Sequence, residues 1–435
     1  MLGAALPVLL GAQPNEASEL ETALVRDVAA GEASVQAWRR DFHSHPELSN
    51  RETRTAGVVA SVLEELGLEV RKEIAHTGVV GILRGGGGPG PTVALRADMD
   101  ALPVTEETGL PFASRVRSTY KGMDVGVMHA CGHDAHTAIL LGAARVLAAH
   151  REQLPGNVLF IFQPAEEGAP AGERGGARLM LEEGVFDDPR PDVVLGLHVV
   201  PQYEAGKIAV VSGGAMAGSD RLHIRVRGRQ THAAYPWLGI DPITVASRIV
   251  LALQAIPGRR VDARFPSIVS IGAIHGGVRG NIIPDEVELL GTIRHTEPSM
   301  QAQLHRTVEE TATKIAESAG AKAEVEIGIG YPVTYNDASL TERIRPALER
   351  AAGPGGVVRG LLRTGAEDFS FFSREVPGVY YWLGIRKPGL PEQEAAPNHS
   401  PHFVIDESAL PLGVRAMVLT ASDLLIHGTG EAQAR

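Results

Sequence analysis

Val158-Leu159-Phe160-Ile161-Phe162 runs without a polar break and leads, after Gln163-Pro164-Ala165, to Glu166-Glu167. Two further stretches have the same form. Thr92-Val93-Ala94-Leu95 leads to Asp98, and Val193-Val194-Leu195-Gly196-Leu197 leads directly to His198. Continuous apolar runs of this length fit strands buried on both faces, in a sheet covered by helices. Ligands of open α/β sheets gather beyond the carboxyl ends of the strands. Three strands therefore carry acidic or imidazole groups to one rim, and the predicted class is α/β with a mostly parallel sheet flanked by helices.

Outward from these runs, 435 residues exceed one ordinary core and point to two domains. Helices are predicted over 16–40, 52–66 and 138–150, and strands over 69–74 and 79–83. Residues 85–91, Gly-Gly-Gly-Gly-Pro-Gly-Pro, lack the lysine and hydroxyl residue of a phosphate loop and read as a flexible connection. After Ser212-Gly213-Gly214 the pattern changes to strands at 220–228, 267–274, 286–293 and 323–327, with helices at 242–256 and 299–318. Strand-helix-strand-strand-helix-strand is the order of a ferredoxin-like unit. We therefore expect an inserted ferredoxin-like α+β lid domain at 213–329, within a discontinuous catalytic domain formed by 16–212 and 330–435. The latter resumes with a helix at 339–352, a strand at 379–383 and a final helix at 407–426.

Hydrophobic residues at 44% and charged residues at 21% suit a globular chain rather than a disordered one. A formal net charge of −11, with no run of Lys or Arg, argues against nucleic acid as partner. One cysteine excludes an intrachain disulfide framework. No stretch of about 20 apolar residues stands out, so no membrane partner is expected. Residues 2–11 are apolar like the core of an export signal, with Gly11-Ala12-Gln13 near a cleavage site, but positive residues do not precede them. Periplasmic or secreted and cytoplasmic locations both stay open.

The chemistry concentrates in Met128-His129-Ala130-Cys131-Gly132-His133-Asp134-Ala135-His136. Cys131 and His133 flank a glycine, so a thiolate and an imidazole can converge on one cation. With Glu167, His198 and, late in the chain, His399, they form a set of five ligands, more than one tetrahedral ion needs. Such a set suits two divalent ions about 3.5–4 Å apart, the arrangement of aminopeptidases and phosphatases. The Cys131 thiolate can supply an anionic bridge. Glu166 can stay unligated and move a proton between water and a leaving nitrogen, while Asp98 suits the orientation of a histidine ligand. On the residues alone His129 and His136 compete with His133. His43, His45 and His76 read as structural or exposed, and Trp38, Trp237 and Trp382 as core or pocket lining.

The segments Leu95-Arg96-Ala97-Asp98-Met99-Asp100-Ala101-Leu102-Pro103, His129 to His136, and Phe162-Gln163-Pro164-Ala165-Glu166-Glu167-Gly168 resemble the amidohydrolase branch of the aminoacylase/carboxypeptidase metallohydrolase family. That branch includes hippurate, N-acyl-amino-acid and auxin-conjugate hydrolases. Gly196-Leu197-His198, His232-Ala233-Ala234, Asn281 to Asp285, Gly291 to Arg294 and Gly365 to Phe369 extend the likeness from about residue 35 to the end. The resemblance implies Cys131 as metal bridge, His133, Glu167, His198 and His399 as the other ligands, and Glu166 as general base and then acid. His232 would stabilise an oxyanion from the lid. Asn281, Arg294 and backbone N–H groups at Gly365 would hold the substrate's oxyanion or carboxylate. It leaves the metals open between manganese, zinc and cobalt, and a homodimer through the lid is implied. Where distant relatives carry a His-x-Asp motif, this chain has Arg96-Ala97-Asp98, with His133 standing in for the missing histidine.

The expected activity is cleavage of the amide of an N-acyl amino acid to a carboxylic acid and a free amino acid. The alternatives are a metallo-dipeptidase or carboxypeptidase, and an inactive descendant that binds metal or peptide. A zinc nucleobase deaminase is disfavoured because no Pro-Cys-x-x-Cys motif exists.

Overall fold

Strands β1 (Glu69–Ile74), β2 (Gly78–Arg84), β3 (Thr92–Asp98), β4 (Asn157–Gln163), β5 (Val193–Glu204), β6 (Ile208–Val210), β11 (Val357–Arg359) and β12 (Gly378–Arg386) form one eight-stranded sheet in the computed structural model, which describes residues 16–430. Its order is β1-β2-β4-β3-β5-β12-β6-β11. The central strands β4, β3, β5 and β12 are mutually parallel. They are the continuous apolar runs of the sequence, and every residue of β3 is buried. The edges depart from this pattern: β1 and β2 run antiparallel, as does β6 against β12. Short connections reverse these strands, whereas a parallel neighbour needs a long crossover.

Helices α1 (Glu16–Ser44), α2 (Thr53–Glu65), α3 (His133–Ala149), α6 (Ala338–Ala352) and α7 (Leu410–His427) pack together over one face of this sheet. By length and composition the segment 407–427 could cross a bilayer, contrary to the expectation that no such stretch exists. Most of it lies in the core, against Ile139 of α3 and Leu383 of the sheet, so its apolarity is core packing.

The smaller sheet is antiparallel throughout and comprises β7 (Gly218–Arg227), β8 (Ser267–Gly276), β9 (Glu286–His295) and β10 (Lys322–Tyr331) in the order β8-β9-β7-β10. With α4 (Pro242–Arg259) and α5 (Gln301–Ser318) it gives the ferredoxin-like order expected, and it has its own core of Leu222, Ile224, Ile249, Leu253, Leu289 and Val308. Asp241 caps α4 by accepting from the Ile243 and Thr244 amides, with Pro242 at the first helical position. Between the two sheets the chain crosses twice, where Gly213–Met216 pairs with Thr334–Asn336.

One departure bears directly on the site. Helix α3 begins at His133, five residues ahead of the apolar repeat. Its first turn carries His133, Asp134, His136 and Thr137, all buried. A polar turn gives no helical periodicity in the sequence, and tertiary partners stabilise it instead. A short helix at Phe369–Glu375 and a hairpin of Arg117–Tyr120 with Met123–Gly126 have no counterpart in the sequence pattern, whereas the helix Gly176–Glu182 falls where Glu182-Glu183 sit in an amphipathic helical pattern. The apolar N-terminal segment 2–11 lies outside the described residues.

Candidate active site

The carboxyl ends of β3 and β4 supply Asp98 and the Glu166-Glu167 turn to one rim, and the middle of β5, which runs on to Glu204 past the apolar run, supplies His198. Gly132 precedes α3 with φ +94°, and a Cβ there would lie 2.3 Å from Val199 Cγ2. Only glycine fits this left-handed corner against β5, and the corner sets Cys131 beside His198. Cys131 Sγ is 3.3 Å from His198 Nε2 and 3.3 Å from His399 Nε2. The His399 loop is pinned to the same corner: its amide donates to the Ala130 carbonyl, and Asn398 Nδ2 donates to the Cys131 and Val199 carbonyls.

Two triads of ligand atoms result, each with its members within 4.8 Å of one another: Cys131-His133-His198 and Cys131-Glu167-His399. They share the thiol. His133 Nε2 is buried with no hydrogen-bond partner among the described residues, as a ligating imidazole would be, and His399 Nε2 lies 3.1 Å from Glu167 Oε1. In each imidazole of the first triad the other nitrogen is held: His198 Nδ1 donates to the Val199 carbonyl, and His133 Nδ1 contacts Asp100 Oδ1 at 3.2 Å. This is how ligating histidines are usually oriented. A soft thiolate, three imidazoles and a carboxylate fit divalent ions of the zinc or manganese kind.

His136 does not compete. Its Nε2 accepts from the Val199 amide at 2.9 Å, which places the proton on Nδ1, 2.6 Å from Asp98 Oδ1. Both nitrogens are spent. His129 is buried with neither nitrogen partnered, but it joins none of the clusters with ligand geometry among the described residues. Burial pulls its pKa down to about 4, so it is neutral.

Glu166 is buried beside His133, with Oε2 4.0 Å from His133 Nε2. Burial, and then the Glu367, Glu167 and Asp368 carboxylates, hold it well above the usual carboxyl range. Burial, and then the Glu167, Glu166 and Asp98 carboxylates, push the Cys131 thiol up. For His133 burial acts downward, but Asp98, Asp100 and Glu167 overcome it and raise the ring to about 10. These opposed shifts describe an acidic nest that positive charge stabilises. Arg96 supplies part of that charge from beneath, reaching Asp98 at 2.7 Å, Glu367 at 2.9 Å and Asp368 at 3.0 Å.

Asp98 makes its short histidine contact with His136, and it lies 3.7 Å from His133 Nδ1. The residue nearest to the orienting task expected of Asp98 is Asp100, to which the sequence motifs assign no role. Its Oδ1 faces His133 Nδ1 and accepts from the Glu166 amide at 3.1 Å. Its Oδ2 accepts from the Glu167 amide at 3.0 Å and the Ser49 hydroxyl at 2.7 Å. Glu52 accepts from the preceding amide, Ala165, whose φ is +54°. Two buried carboxylates thus grip three successive amides of the Glu166-Glu167 turn. The available signal was the alternation Arg96, Asp98, Asp100, polar every second residue at the end of an otherwise apolar strand.

Cys131, Glu167, His198 and His399 open into a cavity of about 260 Å³, lined also by Glu166, Met216, Tyr331, Arg363, Gly365 and Trp382 among others, with His133 buried behind it. Gly365, expected at the substrate, is among the residues that line it. His232, Asn281 and Arg294 are not among the described residues that line it. His232 is exposed and pairs with Ile282, and the Asn281 carbonyl accepts from the Ala233 amide. Arg294 donates to the Thr292 hydroxyl and the Ile293 carbonyl of its own strand.

The family model described as peptidase family M20/M25/M40 matches residues 94–423. The chain belongs to this family. Thermostable carboxypeptidase 1 of Saccharolobus solfataricus is 40% identical over 407 residues, which is 93% of this chain and 98% of that protein. The N-acetyl-L-cysteine deacetylase of Bacillus subtilis is 37% identical, covering 86% of this chain and 83% of the relative. Among solved structures, the Bacillus subtilis YXEP protein, described as a dinuclear metal-binding peptidase of the M20 family, superposes with a TM-score of 0.77. It is 35% identical and covers 92% of this chain and 99% of its own. This M20 chain is accordingly a metal-dependent hydrolase with a catalytic α/β domain and a lid.

Proposed function

We propose that the protein hydrolyses the amide bond of N-acyl amino acids with two divalent ions, held by His133 and His198 on one side of Cys131 and by Glu167 and His399 on the other. The observation that carries this is the pair of ligand triads sharing one thiol, with a buried carboxylate, Glu166, that belongs to neither triad and lies beside His133 and Glu167. Bound at these triads, the ions lower the pKa of a water and polarise a carbonyl. Glu166 takes a proton from that water as its oxygen bonds to the carbonyl carbon. It then returns the proton to the nitrogen as the carbon–nitrogen bond breaks, so that an acid and a free amine leave. The burial and crowding that raise its pKa make Glu166, once ionised, a stronger base for the first half and a ready holder of the proton for the second.

The cavity, of about 260 Å³, has room for a small acylated amino acid. We divide the chain at 213–329, as the separate sheets and cores support, and assign His232 to the oxyanion and Asn281 and Arg294 to substrate in an arrangement where this unit lies over the cavity. Whether a partner subunit provides that cover is read from the mass in solution. Identity to a carboxypeptidase favours one second reading, hydrolysis of peptides carrying a free amine on the acyl side.

The test is the Glu166→Gln variant. It should retain both ions by elemental analysis and lose roughly 10³-fold or more in turnover of N-acetyl and N-benzoyl amino acids. Normal activity would remove Glu166 from the mechanism, and faster turnover of dipeptides by the parent protein would favour the peptidase reading.

A further inference from the structure

We propose that Arg363, on the floor of the catalytic domain, is the residue that selects substrates bearing a free carboxylate, which it binds through its guanidinium. The inference rests on the amide-hydrolase reading above and refines its substrate class. Arg363 is the only lysine or arginine among the described residues that line the cavity of Glu166, Glu167 and Cys131. Its place is fixed by backbone pairing: its amide donates to the Ala215 carbonyl at 2.9 Å, and its carbonyl accepts from the Ala217 amide at 3.0 Å. The side chain lies over Trp382, with Cζ 5.6 Å from the ring centroid, and Trp382 is itself buried.

The guanidinium's one hydrogen-bond partner among the described residues is neutral, the Gln202 side-chain oxygen at 2.5 Å. No carboxylate of the described residues lies within ion-pair distance of it, whereas the buried Arg39 and Arg96 each have one, in Asp134 and Asp98. Half-burying a cation without a counter-ion costs free energy, and burial holds the Arg363 pKa below its ordinary value. Such a cost is expected where the counter-ion arrives with a ligand. A planar fork of donors matches a carboxylate, and Gly365, two residues on, lines the same cavity. Arg294, by contrast, is not among the described residues that line this cavity, and its Nη1 donates to its own strand.

The experiment compares Arg363→Met and Arg363→Lys with the parent, all metal-loaded. The substrate is whichever of a panel of N-acetyl and N-benzoyl amino acids the parent turns over fastest, assayed beside its carboxamide counterpart. Arg363→Met should raise KM for the acid roughly tenfold or more with kcat within about threefold, and bring the acid-to-amide ratio of kcat/KM close to one. Arg363→Lys should restore part of that ratio, and Arg363→Gln provides the same readout should the methionine variant not fold. A parental ratio in Arg363→Met, or collapse of the ratio in Arg294→Met instead, would overturn the inference. Absence of turnover by the parent on the whole panel would overturn the amide-hydrolase reading, and this inference with it.

Discussion

Replacing Asp100 with Asn removes one charge from the core while keeping its shape, and the consequences can be worked out atom by atom. Four donors converge on the carboxylate: His133 Nδ1 and the Glu166 amide on Oδ1, and the Glu167 amide and Ser49 hydroxyl on Oδ2. Asparagine has one acceptor oxygen. Its better orientation keeps the oxygen toward His133 and Glu166, and the Ser49 hydroxyl can rotate to accept from the new amide. The Glu167 amide then faces an N–H group, and a buried donor left unmade costs about 1–3 kcal/mol. The histidine also loses an anionic partner, and loss of such a contact typically lowers metal affinity about 10–100-fold. The variant should therefore fold with reduced stability in denaturant and bind divalent ions roughly tenfold or more weakly in chelator competition. Ser49→Ala, which leaves the other three bonds, should lose no more than about 1.5 kcal/mol. Metal affinity within about twofold of the parent in Asp100→Asn would refute the claim that this carboxylate holds the ligand geometry.

Cys131→Ala should fall below two ions per chain by elemental analysis, because the thiol belongs to both triads. Unchanged stoichiometry would remove it as the bridge. His232→Ala should lower kcat roughly tenfold or more with KM changed less than about threefold, since an oxyanion contact strengthens in the transition state; equal turnover would make His232 a bystander. Burial and then the Asp100 charge raise the Glu52 carboxyl to about 8. Its folded pKa exceeds its unfolded value, so its contribution to stability is full below about pH 4.5 and is lost as pH rises through about 8, at roughly 1.4 kcal/mol for each pH unit crossed. Metal-free Glu52→Gln should accordingly lose less stability than the parent between those values, and parallel curves by chemical denaturation would contradict this.

The apolar runs at 92–95, 158–162 and 193–197 determined the parallel centre of the sheet, because a strand buried on both faces can carry little else. The alternation and helical spacing between 220 and 327 likewise determined the ferredoxin-like unit. Cys131, Glu167, His198 and His399 were legible as candidate ligands, because few other roles suit a lone thiol and polar groups gathered at one rim, whereas His133 was a candidate only alongside His129 and His136. Tertiary structure alone decided which histidine of the 129–136 stretch is free: His136 is consumed by the Val199 amide and Asp98, whereas His133 keeps Nε2 unpartnered. It also decided that α3 begins at His133, since a polar first turn has no periodicity until its partners are in place. The same holds for Asp100 and Arg363. Each is an ordinary polar residue in the chain, and it acquires meaning only from the donors, or the cavity, that segments distant in sequence bring beside it.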